Sequence, residues 1–169
     1  GLAGAIEVGP AGGHRADRTL AAGHVDELLL LACLKVGQEC LGHLGRVEIS
    51  GICGEVTGEM VLRFRGTVLD RKPQMVIILG GTNDLGWNAD PAEIMRNLVK
   101  MYESARAASI VPVPVTVPSI RVDAGADHPD AAAWLAGHIQ RRQQLNRLIA
   151  DYAGRKGLSY FDLFTATAD

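Results

Sequence analysis

An α/β fold, a three-layer α/β/α sandwich around a mostly parallel sheet, is predicted by three features of the chain. Met75 to Leu79 is apolar at every position, as in a strand covered on both faces. Its carboxyl end opens into Gly80-Gly81-Thr82-Asn83-Asp84, a polar, glycine-loosened turn of the kind on which open α/β sheets place their chemistry. From residue 25 onward, helical and strand patterns alternate with short links, which implies parallel strands joined by right-handed crossovers.

Ala5 to Val8 offers a stunted first strand, and residues 1–24 are otherwise expected to be irregular. Val25 to Leu44 reads as an apolar helix, with Asp26 and Glu27 in its first turn, where the helix dipole favours them. Arg46 to Ser50 is a short strand, and Glu55 to Arg71 an amphipathic helix ended by Lys72-Pro73. After the Met75–Leu79 strand, Asp90 is the expected N-cap of a helix with Pro91 at its first position. Ile94, Leu98 and Met101 form that helix's apolar stripe.

Ile110 to Val117 alternates valine with proline and threonine and is expected to be a strand near a sheet edge. Pro118 to Asp130 is a polar loop. Ala131 to Tyr152 is a helix with Gln143, Gln144 and Arg147 on its solvated face, and Leu158 to Leu163 is the last strand. There is no internal repeat, linker or low-complexity tract, so residues 1–169 read as a single domain.

A chain of 169 residues can bury a core without disulfides. A net charge of −2 does not suggest nucleic acid or an anionic membrane as partner. No apolar run approaches the ~20 residues that span a bilayer. Cys33, Cys40 and Cys53 lack metal-ligand spacing: the first two read as buried small hydrophobes, while Cys53 lies inside a glycine turn. No metal and no organic cofactor is expected. Unpaired thiols and the lack of a visible signal peptide favour a cytoplasmic setting, although the chain begins with Gly and not Met.

At the tip of the Met75–Leu79 strand, Asn83 offers an amide donor, and Asp84 can stabilise the turn by accepting backbone N–H bonds. A simple Asn-Asp β-turn accounts for those two residues equally well. Upstream, residues 47 to 60, VEISGICGEVTGEM, read as strand, Gly-x-x-Gly turn and helix start. Gly54 and Asn83 lie 83 − 54 = 29 residues apart, which suits one strand-helix-strand repeat and puts both at adjacent strand tips.

Gly81-Thr82-Asn83-Asp84 resembles the third sequence block of the SGNH, or GDSL-type, hydrolases, and the turn at Gly54 resembles the second. The resemblance implies a flavodoxin-like sheet and acyl-ester hydrolysis of a small-molecule ester without a cofactor. It implies an oxyanion hole in which Gly54 gives a backbone N–H and Asn83 its side-chain amide. Gly81 and Asp84 then stabilise the turn. A rigid neutral donor at a strand end is a preorganised dipole for the developing charge.

The family's Gly-Asp-Ser block and its carboxyl-terminal Asp-x-x-His pair do not appear, and no serine precedes Ser50. Thr19 stands at the serine position of a partly similar stretch, Asp17 to Gly23, with 54 − 19 = 35 residues to the second block. Alternatively, Ala5 to Val8 leads into Gly9-Pro10-Ala11, with Ala11 in the serine's place. His128, adjacent to Asp127 in the loop before a helix, is the candidate base, or else a solvated loop residue. The other histidines need only surface or helix-face roles.

Two accounts fit these absences: a cut or altered version of an active esterase, or a degenerate member that binds a ligand without hydrolysing it. A nucleotide or phosphate binder is a third class. It is opposed by the lack of a Gly-x-Gly-x-x-Gly run and of a Walker-type lysine, and by Glu55 beside the turn. The resemblance places the first strand between the second and third, where a vacancy would leave backbone groups unpaired. Ala5 to Val8, or the segment near Thr19, is therefore expected to fill that slot.

Overall fold

The computed structural model describes residues 2–9, 46–120 and 129–168. Its strands are β1 (Leu2–Gly9), β2 (Arg46–Ile49), β3 (Ile52–Cys53), β4 (Met75–Leu79) and β5 (Val111–Pro114). They form one sheet in the order β2-β1-β4-β5, with β3 also paired to β1. Its helices are α1 (Thr57–Thr67), α2 (Thr82–Gly86), α3 (Pro91–Ala107), α4 (Pro129–Lys156) and α5 (Leu163–Ala166), with a 3-10 turn at Leu69–Arg71.

The segment containing Ala5 to Val8 does fill the central slot, but it runs against its neighbours. β1 is antiparallel to β2, from Ile6 opposite Ile49 to Gly9 opposite Arg46, and antiparallel to β4, from Gly4 opposite Leu79 to Val8 opposite Met75. β2, β4 and β5 thus all point one way, β4 pairing parallel with β5. An antiparallel strand satisfies the backbone groups of both neighbours as well as a parallel one, so pairing alone does not fix its direction. β2 and β3 keep one register along β1, since Ala3 is opposite Ile52 and Leu2 opposite Cys53.

β5 is the end strand of the sheet, as expected, and its prolines fall at alternate positions that face away from β4. The N–H groups of Val111 and Val115 donate to Gln74 and Ile78 on the β4 side. Pro112 and Pro114 turn their missing donors the other way, where the Pro114 carbonyl accepts from the Phe161 N–H. The strand expected over Leu158 to Leu163 contracts to a single parallel bridge, Val115 to Phe161. It ends there because the Asp162 carboxylate caps α5, accepting from the Thr165 N–H at 3.1 Å.

α1 begins at Thr57 and not Glu55, because Glu55 lies in the preceding turn, and Lys72 closes the 3-10 turn with a left-handed φ of 51°. The N-cap of α3 is as expected: Asp90 accepts from Ala92 N–H at 2.8 Å with Pro91 at the helix start. Ile94, Leu98 and Met101 of α3 pack with Val76, Ile77 and Ile78 of β4 and with Leu145 and Ile149 of α4 in one buried cluster. Gln143, Gln144 and Arg147 face solvent. No helix among the described residues is long and apolar enough to cross a membrane.

Tyr102 is fully buried, its ring 5.4 Å from that of Tyr152, and its hydroxyl has no hydrogen-bond partner among the described residues. Removing an unsatisfied buried hydroxyl should stabilise, so Tyr102→Phe is expected to raise stability by about 1 kcal/mol. A urea titration checks this as a higher midpoint at unchanged slope; a lower midpoint would contradict it.

Nearby, Glu103 accepts from Lys156 Nζ at 2.8 Å and Tyr152 Oη at 2.7 Å. The Lys156 bond first, then the Tyr152 bond, hold its carboxyl down at about 2 from 4.5. Because the folded value is the depressed one, this stability is present above about pH 4.5 and is lost as pH falls toward 2. Glu103→Gln should flatten the dependence of the urea midpoint on pH across that window, and an unchanged slope there would count against the assignment.

Candidate active site

The chemistry-bearing turns gather where β3 and β4 end, flanking the amino end of β1. After β3 the chain bends at Ile52 to Glu55, closed by the Glu55 N–H donating to the Ile52 carbonyl at 3.4 Å. Gly54 sits in this bend with φ +81°, a conformation that a side chain disfavours. After β4, Gly81 adopts φ +109°, and a Cβ there would lie 2.8 Å from Leu145 Cδ2 and 2.9 Å from Ile94 Cγ2. This glycine is required by backbone and by space alike.

The two turns are joined by side chains. Asn83, in the first turn of α2, donates from Nδ2 to the Glu55 carbonyl at 2.7 Å, which puts its amide beside the residue that follows Gly54. Asp84 does not brace its own turn, as expected from the sequence, but reaches 27 residues back. It accepts from the Thr57 N–H at 3.1 and 3.0 Å and from Thr57 Oγ1 at 2.6 Å. The Thr57 N–H, unpaired within the helix at the start of α1, thus finds its acceptor in this carboxylate at the positive end of the helix dipole. Asp84 and Thr57 are buried, and Asn97 of α3 adds a bond to Thr57 Oγ1 at 3.2 Å.

Glu55 is anchored as well: both its oxygens accept from Arg63, from Nε and Nη2, each at 2.5 Å. This carboxylate raises the Arg63 pKa further above its ordinary value. From the sequence, Glu55 reads as the start of a helix and as a charge that would repel phosphate, not as half of an ion pair. Its partner eight residues on falls outside the i, i+4 spacing because Glu55 precedes the helix.

His138 is buried, not at the surface. Its ring stacks on Trp134 with centroids 5.0 Å apart, and Nε2 accepts from Arg142 Nη2 at 3.2 Å. Burial first, then Arg142 and Arg141, lower its pKa, so the imidazole is held neutral and engaged. The signal was present in the sequence, since Trp134, His138 and Arg142 follow one another at helical spacing.

Cys53 is exposed at the tip of β3. Thr19, His128, Cys33 and Cys40 lie outside the described residues. Ala11, the alternative at the nucleophile position, lies outside the described residues as well. Gly9 pairs with Arg46 at the far end of the sheet, seven residues and about 24 Å along the strand from Leu2.

A sheet of this order, with a left-handed glycine and an Asn-Asp turn at the two strand tips that flank β1, is an α/β arrangement of SGNH type. The model of the GDSL-like Lipase/Acylhydrolase family matches residues 35–169, and the chain belongs to that family. A GDSL-like lipase from Bacteroides thetaiotaomicron is similar at 26% identity and TM-score 0.58, over 82% of this chain and 63% of that one. An acetylxylan esterase from Geobacillus stearothermophilus, a catalytic mutant, shares the fold at 17% identity and TM-score 0.60, over 82% of this chain and 64% of that one. An acetyl xylan esterase, AlAXEase, shares it at 16% identity and TM-score 0.55, over 69% of this chain and 58% of that one. The chain therefore spans less than two thirds of the length of these solved proteins. No curated protein matches it in sequence.

Proposed function

We propose that this chain carries the oxyanion-stabilising part of an acyl-ester hydrolase, with the Gly54 N–H and the Asn83 amide as its donors. The observation that supports this most is the Asn83 Nδ2 bond to the Glu55 carbonyl, which fixes the amide next to Gly54 and leaves its second N–H without a partner among the described residues. Short acyl esters, such as the acetyl esters named for the structural neighbours, are the substrate class that fits a small preorganised hole. Thr19 is the candidate nucleophile and His128 the candidate base. Gly81 supports the Asn83 turn, and Asp84 fixes it to α1.

The reversed direction of β1 favours a second reading, in which the same hole binds an ester or carboxylate without turnover. Among the described residues, the carboxyl end of β1 lies at the opposite end of the sheet, where Gly9 pairs with Arg46. A fluorophosphonate probe with peptide mapping separates the two. Labelling at Thr19 supports the hydrolase, whereas a wholly unlabelled chain that still binds the carboxylate product supports the binder.

A further inference from the structure

We propose that Glu55 and Arg63 are positioning residues for Asn83, a role that rests on reading Asn83 as an oxyanion donor. An Asn amide can present either its nitrogen or its oxygen to a given neighbour. The Glu55 carbonyl accepts only, so it selects the nitrogen and sets the orientation of the remaining N–H. Whatever fixes that carbonyl therefore fixes the donor.

Two features hold it. The left-handed Gly54 sets the bend on one side. On the other, the Glu55 side chain, 5% exposed, is clamped by Nε and Nη2 of Arg63 from within α1. A bidentate guanidinium–carboxylate pair restricts orientation as well as distance. Compared with an apolar pair of similar shape, a buried ion pair adds little net stability, so its main consequence is geometric. The Asp84–Thr57 bonds tie the start of α1 to the Asn83 turn from the opposite direction. The Glu55 carbonyl is thus held between two anchors that both run through α1.

The test is NMR of the 15N-labelled full chain, with the Asn83 side-chain NH2 pair assigned by its loss in Asn83→Ala. The variant is Glu55→Gln with Arg63→Met, which removes the clamp without stranding a buried charge. The pair should move toward free-amide shifts and its hydrogen exchange should speed up at least about tenfold, with core methyl resonances unchanged. Unchanged Asn83 shifts and exchange in a folded double variant would overturn the proposal. Should that variant not fold, Arg63→Lys, which keeps the charge but not the fork, should give intermediate exchange, and wild-type exchange there would overturn it equally. Ester turnover is read in parallel: kcat should fall at unchanged KM. If the wild type shows no turnover while the Asn83 resonances respond, the hydrolase reading fails and the positioning role stands. If turnover is present and the resonances do not respond, the positioning role fails alone.

Discussion

Asn83→Ala is expected to lower kcat for a short-chain aryl ester by about 10²- to 10³-fold, or roughly 3 kcal/mol of transition-state stabilisation. The Asn83 side chain is half-buried and its amide is already oriented by the Glu55 carbonyl, so no reorganisation is needed as charge develops on the ester oxygen. A donor that serves mainly the tetrahedral state should leave KM nearly unchanged while kcat and kcat/KM fall together. The opposite pattern, a raised KM at constant kcat, would assign Asn83 to ground-state binding. The substitution should cost only modest stability, because the bond it removes is part-buried.

Asp84→Ala should act on the fold and not only on the chemistry. The carboxylate is buried and takes three contacts from Thr57, itself fully buried at the start of α1. Its loss leaves an N–H and a hydroxyl without their acceptor and removes a negative charge from the positive end of a helix. Hydrogen bonds to charged groups contribute about 1.5–3 kcal/mol each, with partial compensation by water, so a net loss of about 3 kcal/mol is expected. For a chain of this size that lowers Tm by roughly 6–12 °C. Asp84→Asn keeps one acceptor and should lose about half as much. A Tm for Asp84→Ala within about 2 °C of wild type would show that the Thr57 contacts contribute little.

These residues also mark how far the sequence could be read. Met75–Leu79, the bend at Gly80-Gly81 and the Asp90-Pro91 helix start were legible because each depends on local pattern: continuous apolarity, φ freedom and capping. The placement of Ala5 to Val8 between β2 and β4 followed from the need to pair backbone groups. Its direction did not, because alternating side chains face the same two sides whichever way a strand runs. The partners of Asp84 and Glu55 were hidden for a different reason. Thr57 lies 27 residues away and Arg63 sits across a helix start, so neither is marked by a regular spacing. The prolines of β5 were a legible edge signal, because the end strand of a sheet needs only every second N–H, on its β4 side.

The most direct test compares turnover of a short-chain aryl ester by the wild-type chain and by Asn83→Asp, which keeps the shape of the side chain but replaces its donor with a negative acceptor. The oxyanion-hole account predicts turnover above buffer for the wild type and none for Asn83→Asp. No turnover by the wild type, or equal turnover by both, would contradict it.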